Sequence, residues 1–177
     1  MNIEQLKKLE DLKQTQTTIS ELLTKAEEVK VNRLIQDSIS EFSSFFETKG
    51  FEVSKSANFT KAVYGTSEFI LHHDISDKRY FIFHFIFELE CKTFDSQQYS
   101  IGINPKPSND GSYAPRTSGD SLQWEIEKIE RSIHILKQEL ETVDTNPWCF
   151  SIKNDTEKEY SKTTFDSMDE LLNELFQ

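Results

Sequence analysis

Cysteine is almost absent from this chain of 177 residues: Cys91 and Cys149 are the two, and both fall inside apolar, strand-like runs. That excludes a disulfide-dense secreted scaffold, and a chain of about this length buries roughly 70% of its unfolded surface without covalent staples. The first residues, MNIEQLKKLE, hold neither an apolar targeting core nor a small-residue cleavage site, so the expected setting is a reducing cytoplasm. Long apolar runs are missing too. The longest, YFIFHFIF at residues 80–87, is interrupted by His84 and falls well short of the roughly 20 residues of a membrane span. With 5 glycines there is little material for a phosphate-binding loop, and no dinucleotide fingerprint, G-x-S-x-G elbow or Cys-His nucleophile pattern occurs.

Basic residues are the other scarcity. Net charge is −11, and residues 111–177 hold most of the excess, with 14 acids against 7 bases, where residues 1–50 hold 9 against 7 and residues 51–110 hold 8 against 6. Phosphate binding needs a basic footprint, so direct nucleic-acid binding is disfavoured and a protein partner with a basic surface is expected instead. An acidic DNA mimic would need rows of acids with few bases, whereas Lys128, Arg131 and Lys137 interleave Glu125, Glu127, Glu130, Glu139 and Glu141 in the manner of a solvated helix face.

What is present is a change of period. Residues 2–14 read as a short helix ended by QTQTT, and Thr18-Ile-Ser-Glu21 matches a capping box for a second helix that carries Ile35, Ile39, Phe42 and Phe46 to Gly50, a natural residue just beyond a helix end. From Gly50 the apolar period becomes two, giving candidate strands at 51–57, 60–65, 68–73, 79–92 and 98–104 in an antiparallel meander. Setting Asp74 opposite Arg79 would pair Leu71 with Ile82 and Phe69 with His84. The 79–92 strand is apolar on both faces and so belongs at the centre of a sheet covered on both sides, with Phe81, Phe83, Phe85, Phe87, Leu89 and Cys91 on one face and His84 as a buried core residue on the other.

Three of the four prolines fall in or next to PKPSNDGSYAPRTSGD, a long loop at 105–120. Asp120 then caps a helix whose Leu122, Ile126, Ile129, Ile133, Leu136, Leu140 and Val143 alternate spacings of four and three. This heptad stripe either covers the sheet or forms a coiled-coil seam with another helix or a second protomer. WCFSIKN from 148 reads as a strand, and Met168, Leu171, Leu172 and Leu175 as a short closing helix. The fold class is α+β in one domain over 1–177: a meander of about five or six strands covered by a long N-terminal helix and the heptad helix, with the short helix of 1–17 projecting. The acidity and the order helix, meander, helix are similar to those of bacterial secretion chaperones and small inhibitor or immunity proteins.

For chemistry, Glu90-Cys91-Lys92 with Asp74 upstream has the outline of a metal-dependent nuclease, in which carboxylates hold magnesium and a lysine helps activate water. The same residues are also what a strand leaving the core for water looks like. His72 and His73 point to opposite faces and no His or Cys spacing suits zinc, so no metal or cofactor is expected. Tyr113 and Arg116 on the loop and Trp124 at the start of the heptad helix are the candidate contact group, being residue types that anchor interfaces. The function expected is a non-catalytic interaction protein, such as an inhibitor, immunity protein or accessory subunit of a bacterial or phage system, with the nuclease and the DNA mimic as alternatives. Self-association through the stripe at 35, 39, 42 and 46 is a further expectation.

Overall fold

The structure, a computed structural model, describes residues 3–74, 83–93, 96–106, 122–154, 156, 157 and 159–176. In chain order these form α1 (Ile3–Thr48), β1 (Glu52–Lys55), β2 (Phe59–Tyr64), β3 (Ser67–His72), β4 (Phe85–Lys92), β5 (Gln97–Pro105), α2 (Leu122–Thr142), β6 (Trp148–Asn154), β7 (Thr164–Phe165) and α3 (Met168–Leu175). They group into two compact units, one drawn from Met1–Lys30 and Pro107–Asn146 and the other from Val31–Lys106 and Pro147–Gln177. The division passes through α1 between Lys30 and Val31, so no linker composition marks it.

The larger unit is an α+β meander. Seven antiparallel strands lie in the order β1-β2-β3-β4-β5-β6-β7, each beside its neighbour in sequence. α1 ends because Gly50 takes a φ of 84°, which lets the Gly50 and Phe51 amides donate to the carbonyls of Glu47 and Phe46. Gly65, with a φ of 60°, supplies the first position of the two-residue turn between β2 and β3.

One face of this sheet carries the core. Ala62, Phe69, Leu71, Phe85, Phe87, Leu89, Ile101, Ile103 and Phe150 pack with Val31, Ile35, Ile39, Phe42, Phe45 and Phe46 of α1 and with Met168, Leu171 and Leu172 of α3. Phe46 is the hub, stacked on Phe69 at 4.7 Å between ring centres and edge-on to Phe45 at 5.1 Å. Full burial of each such ring contributes about 1.5–3 kcal/mol. The stripe at 35, 39, 42 and 46, expected to serve self-association, is therefore consumed within the chain.

The register of β3 on β4 differs from the predicted one. Phe69 lies opposite Cys91 and Leu71 opposite Leu89, where the sequence suggested His84 and Ile82; Arg79 and Ile82 lie outside the described residues. The offset is odd, so it exchanges the two faces of β4. The observed pairing puts Phe85, Phe87, Leu89 and Cys91 together under the helices, and burial of that face fixes the choice.

The cover differs too. Both helices packed on the sheet lie on one face, while the opposite face runs through Ile86, Glu88, Glu90 and Lys92. His84 is exposed rather than buried, with its ring edge-on to Trp148 at 4.9 Å and its amide donating to the Ile103 carbonyl. The chain bends at Phe83-His84 before β4 begins, which breaks the alternation the sequence reading had extended back to Arg79. Phe83 consequently leaves the face of Phe85 and lies over Gly102, where a Cβ would come within 2.3 Å of its ring, and Tyr160 packs on Phe83 at 4.4 Å.

The smaller unit pairs residues 3–30 of α1 with α2. No break occurs at 14–18: Gln16 and Ile19, next to the threonines, are held against α2, and Thr15, Thr17 and Thr18 turn their hydroxyls back onto the carbonyls of Asp11, Lys13 and Gln14. Leu9, Ile19, Ile126, Ile129 and Ile133 are the buried residues of its core, joined by Leu12, Leu122 and Leu136. Of the two readings of the heptad stripe, its buried residues realise the seam with another helix of the same chain.

Polar contacts give the direction and register. With Leu9 and Ile126 as position a of their heptads, Lys8 at g reaches Glu130 at e at 2.8 Å, and Lys13 at e reaches Glu125 at g at 3.9 Å. Reciprocal g-to-e and e-to-g pairs of this kind belong to parallel helices in register. Gln16, at an a position, donates to Ser132 at 2.8 Å, a polar layer that disfavours a shifted pairing.

The seam ends on a cation. Lys30 occupies the a position where α2 has run out, and its buried ammonium donates to the carbonyls of Val143, Asp144 and Asn146 at 2.7, 2.9 and 2.7 Å. A positive group here also opposes the negative end of the α2 dipole. Lys30→Met should destabilise the paired helices by about 1.5–3 kcal/mol, since hydrogen bonds from a charged donor to the carbonyls at the end of α2 are lost. The measurement is hydrogen exchange of the last-turn amides of α2, expected to quicken in Lys30→Met and to stay slow in the core of β4.

Candidate functional site

The residues singled out from sequence are dispersed. Tyr113, Arg116 and the helix cap Asp120 lie outside the described residues, as does the 105–120 loop beyond Lys106. Trp124 sits on α2 at an f position, away from the seam, half-buried under the Lys128 ammonium at 5.4 Å from its ring centre.

Glu90 and Lys92 share the open face of β4, 3.5 Å apart, and His72 approaches Glu90 at 3.7 Å. Asp74 does not join them. Glu90 stands opposite Ile70, four residues upstream of Asp74, which is about 13 Å along an extended strand. Among the described residues no three of His, Cys, Asp and Glu come together in a way that could hold a metal ion. On the same face a second pair forms across strands. Lys61 donates to Glu68 at 2.6 Å and holds that carboxyl below its ordinary pKa.

His73 points to the core face and is buried, with Nε2 3.2 Å from the Thr60 hydroxyl. Burial lowers its pKa, and its own charge is therefore disfavoured in the fold. This is the structural histidine that the sequence reading assigned to His84.

The larger unit also holds a cleft of about 650 Å³ at the β2–β3 turn end of the sheet, beside the last turn of α3. Phe69, Cys91, Leu175 and Phe176 make its apolar wall and Thr66, Ser67, Thr93, Gln97 and Tyr99 its polar one. Among the described residues no charged side chain lines it. Burial, and then the nearby Glu90 charge, push the Cys91 thiol up to about 12, and burial also raises Tyr99, so both are neutral at physiological pH. The lining can bind uncharged hydrogen-bonding groups and carries no acid–base pair poised for proton transfer.

The helical pair presents a different surface. Leu22 and Val29 on α1 are 48% and 60% exposed, seven residues apart at successive g positions and thus just outside the seam. Sequence reading missed them as surface because it ended one helix at residue 14 and began another at Thr18, so no heptad phase was carried across the two. Carrying the four-three spacing of 16, 19, 23, 26 and 30 back through 12, 9 and 5 would have set them apart.

No protein-family model, no curated protein and no solved structure matches this chain.

Two measurements check these environments. Cys91 and Cys149 are both buried with raised pKa values, so a thiol reagent should label neither at neutral pH in the native chain and both once it is unfolded. For His73, the unfolded state takes up a proton as pH falls through about 6.5 while the folded state resists it, so this residue's contribution is fully present above that pH and is lost below it. Denaturation midpoints of the wild type should drop between about pH 7 and 5 more steeply than those of His73→Gln.

Proposed function

We propose that this chain is a non-catalytic protein-interaction protein, an inhibitor, immunity protein or accessory subunit of a bacterial or phage system acting in the cytoplasm. The observation that supports this reading is the build of the smaller unit. Two helices close a seam on each other and keep Ile3, Leu22, Val29 and Ile135 outside it, exposed and apolar on an otherwise charged surface. Large apolar side chains held on a preformed helical scaffold cost little ordering entropy on contact, and this favours binding. The acidity of the chain, at −11, suits a partner with basic surface nearby.

The nuclease alternative would require Asp74 beside Glu90 and Lys92, and the register of β3 on β4 separates them. Among the described residues no helix is long and apolar enough to cross a membrane.

The test is affinity purification of the full chain from its native host, followed by reconstitution of the complex from purified components. A single protein partner binding in fixed stoichiometry is expected, with no hydrolysis of DNA or RNA in magnesium or manganese. Metal-dependent cleavage abolished by Glu90→Ala would overturn the reading, as would a chain that recovers no stoichiometric partner.

A further inference from the structure

The core face of the larger unit's sheet runs on past the last turn of α3, and the cleft of about 650 Å³ opens there, beside Leu175 and Phe176. Register sets its lining on that face. Phe69 stands opposite Cys91 and Cys91 opposite Gln97, with Ser67 and Tyr99 two residues away on their own strands. The volume falls within the roughly 300–1,000 Å³ of small-molecule sites.

The side chains change character at the cleft without becoming charged. Deeper in the core the same face carries Leu71, Leu89 and Ile101, all fully buried. At the cleft it carries Ser67, Gln97 and Tyr99. The opposite face of β3 and β4, at the same end, carries Glu68, Glu90 and Lys92. A rim that only met water would be expected to hold charge likewise, whereas a neutral polar wall facing an aromatic one is suited to a ligand.

Both walls are held in place. Phe176 lies edge-on to Phe69 at 5.1 Å and joins the cluster around Phe46, so an aromatic ring in the cleft would extend that cluster. The Tyr99 hydroxyl donates to Oε1 of Gln97, which commits the acceptor of that amide and leaves its N–H groups to donate. The hydroxyls of Thr66 and Ser67 stand on the same polar wall. Donors of this kind match a neutral carbonyl oxygen. A carboxylate or an ammonium would lose its hydration there and gain no counter-charge from the described lining.

We propose that the cleft binds a small uncharged aromatic carbonyl compound, an aromatic amide above all, with its ring against Phe69 and Phe176 and its carbonyl oxygen on the Gln97 amide. This site is separate from the protein-interaction reading and does not depend on it.

The probes are naphthamide, its charged counterpart naphthoate, and methylnaphthalene, which keeps the ring and lacks the carbonyl. In amide-resolved NMR titrations of the full chain, naphthamide should shift the backbone amides of Ser67, Phe69, Cys91, Gln97 and Tyr99 and leave those of α2 in place. Naphthoate should bind about tenfold more weakly, because its charge must be desolvated. Methylnaphthalene should bind about fivefold more weakly, for want of the hydrogen bond. Gln97→Leu keeps the bulk and removes the donors, so it should weaken naphthamide about fivefold and leave methylnaphthalene unchanged. Ser67→Leu fills the cleft and should abolish binding of both while circular dichroism stays unaltered.

Naphthoate binding as tightly as naphthamide would overturn the proposal, as would naphthamide binding that Gln97→Leu leaves undiminished. Shifts that fall outside the cleft, or none at its amides with naphthamide at its solubility limit, would overturn it as well.

Discussion

α1 carries two apolar stripes whose phases differ by one residue, and each unit is organised by one of them. Up to Lys30 the stripe follows heptad positions shared with α2; from Val31 it resumes one residue later, through Ile35, Ile39, Phe42 and Phe46, as the face that buries the sheet. The helix itself is continuous, with no proline and no glycine between Ile3 and Thr48. Its backbone hydrogen bonds are satisfied locally at each step, so the change of partner needs no interruption of the chain. Lys30 falls at the junction of the two phases, and a lysine is well suited to it: the stem packs like an apolar residue while the ammonium ends the neighbouring helix.

The parallel direction of the helical pair follows from what lies between its members. Antiparallel helices can be joined by a few residues, but parallel ones need a connection that returns the chain to the starting end. Here the intervening sequence includes five strands of the meander, and β6 resumes directly after α2. The sheet tolerates this insertion because β5 and β6 still pair antiparallel, from Tyr99 with Asn154 to Pro105 with Trp148.

Period was legible in the sequence, and phase was not. The alternation from Gly50 onward gave the antiparallel meander, and the four-three spacing gave α2 nearly to its ends, because both patterns are intrinsic to one segment. The partner of each pattern depends on residues far away. The turn signal at Asp74 and Arg79 offered a plausible charge pair, yet burial of the Phe85, Phe87, Leu89 and Cys91 face set a different register, and one bend at His84 was enough to move Phe83 across the sheet. Poor helix formers at 14–18 suggested a break for a similar reason: propensity is overridden by tertiary contact, and here Ile19 is buried against α2 and Gln16 has Ser132 across the seam. Of the contact group chosen from sequence, only Trp124 falls on described structure, and it faces away from the seam. The surface the structure favours instead, at Leu22 and Val29, was hidden because an apolar residue at a g position looks like core until the heptad phase is known.

The helical pair joins residues that are remote along the chain. Gln5 meets Gln123 and Gln16 meets Ser132, separations of 118 and 116 residues, while the sheet is made from hairpins of near neighbours. Loop-closure entropy opposes remote contacts until the intervening chain has been shortened by structure of its own. Closing the helical pair therefore costs more chain entropy than closing any one hairpin of the sheet. During synthesis the first thirty residues must then wait, with their apolar seam open to water, until more than a hundred others have emerged.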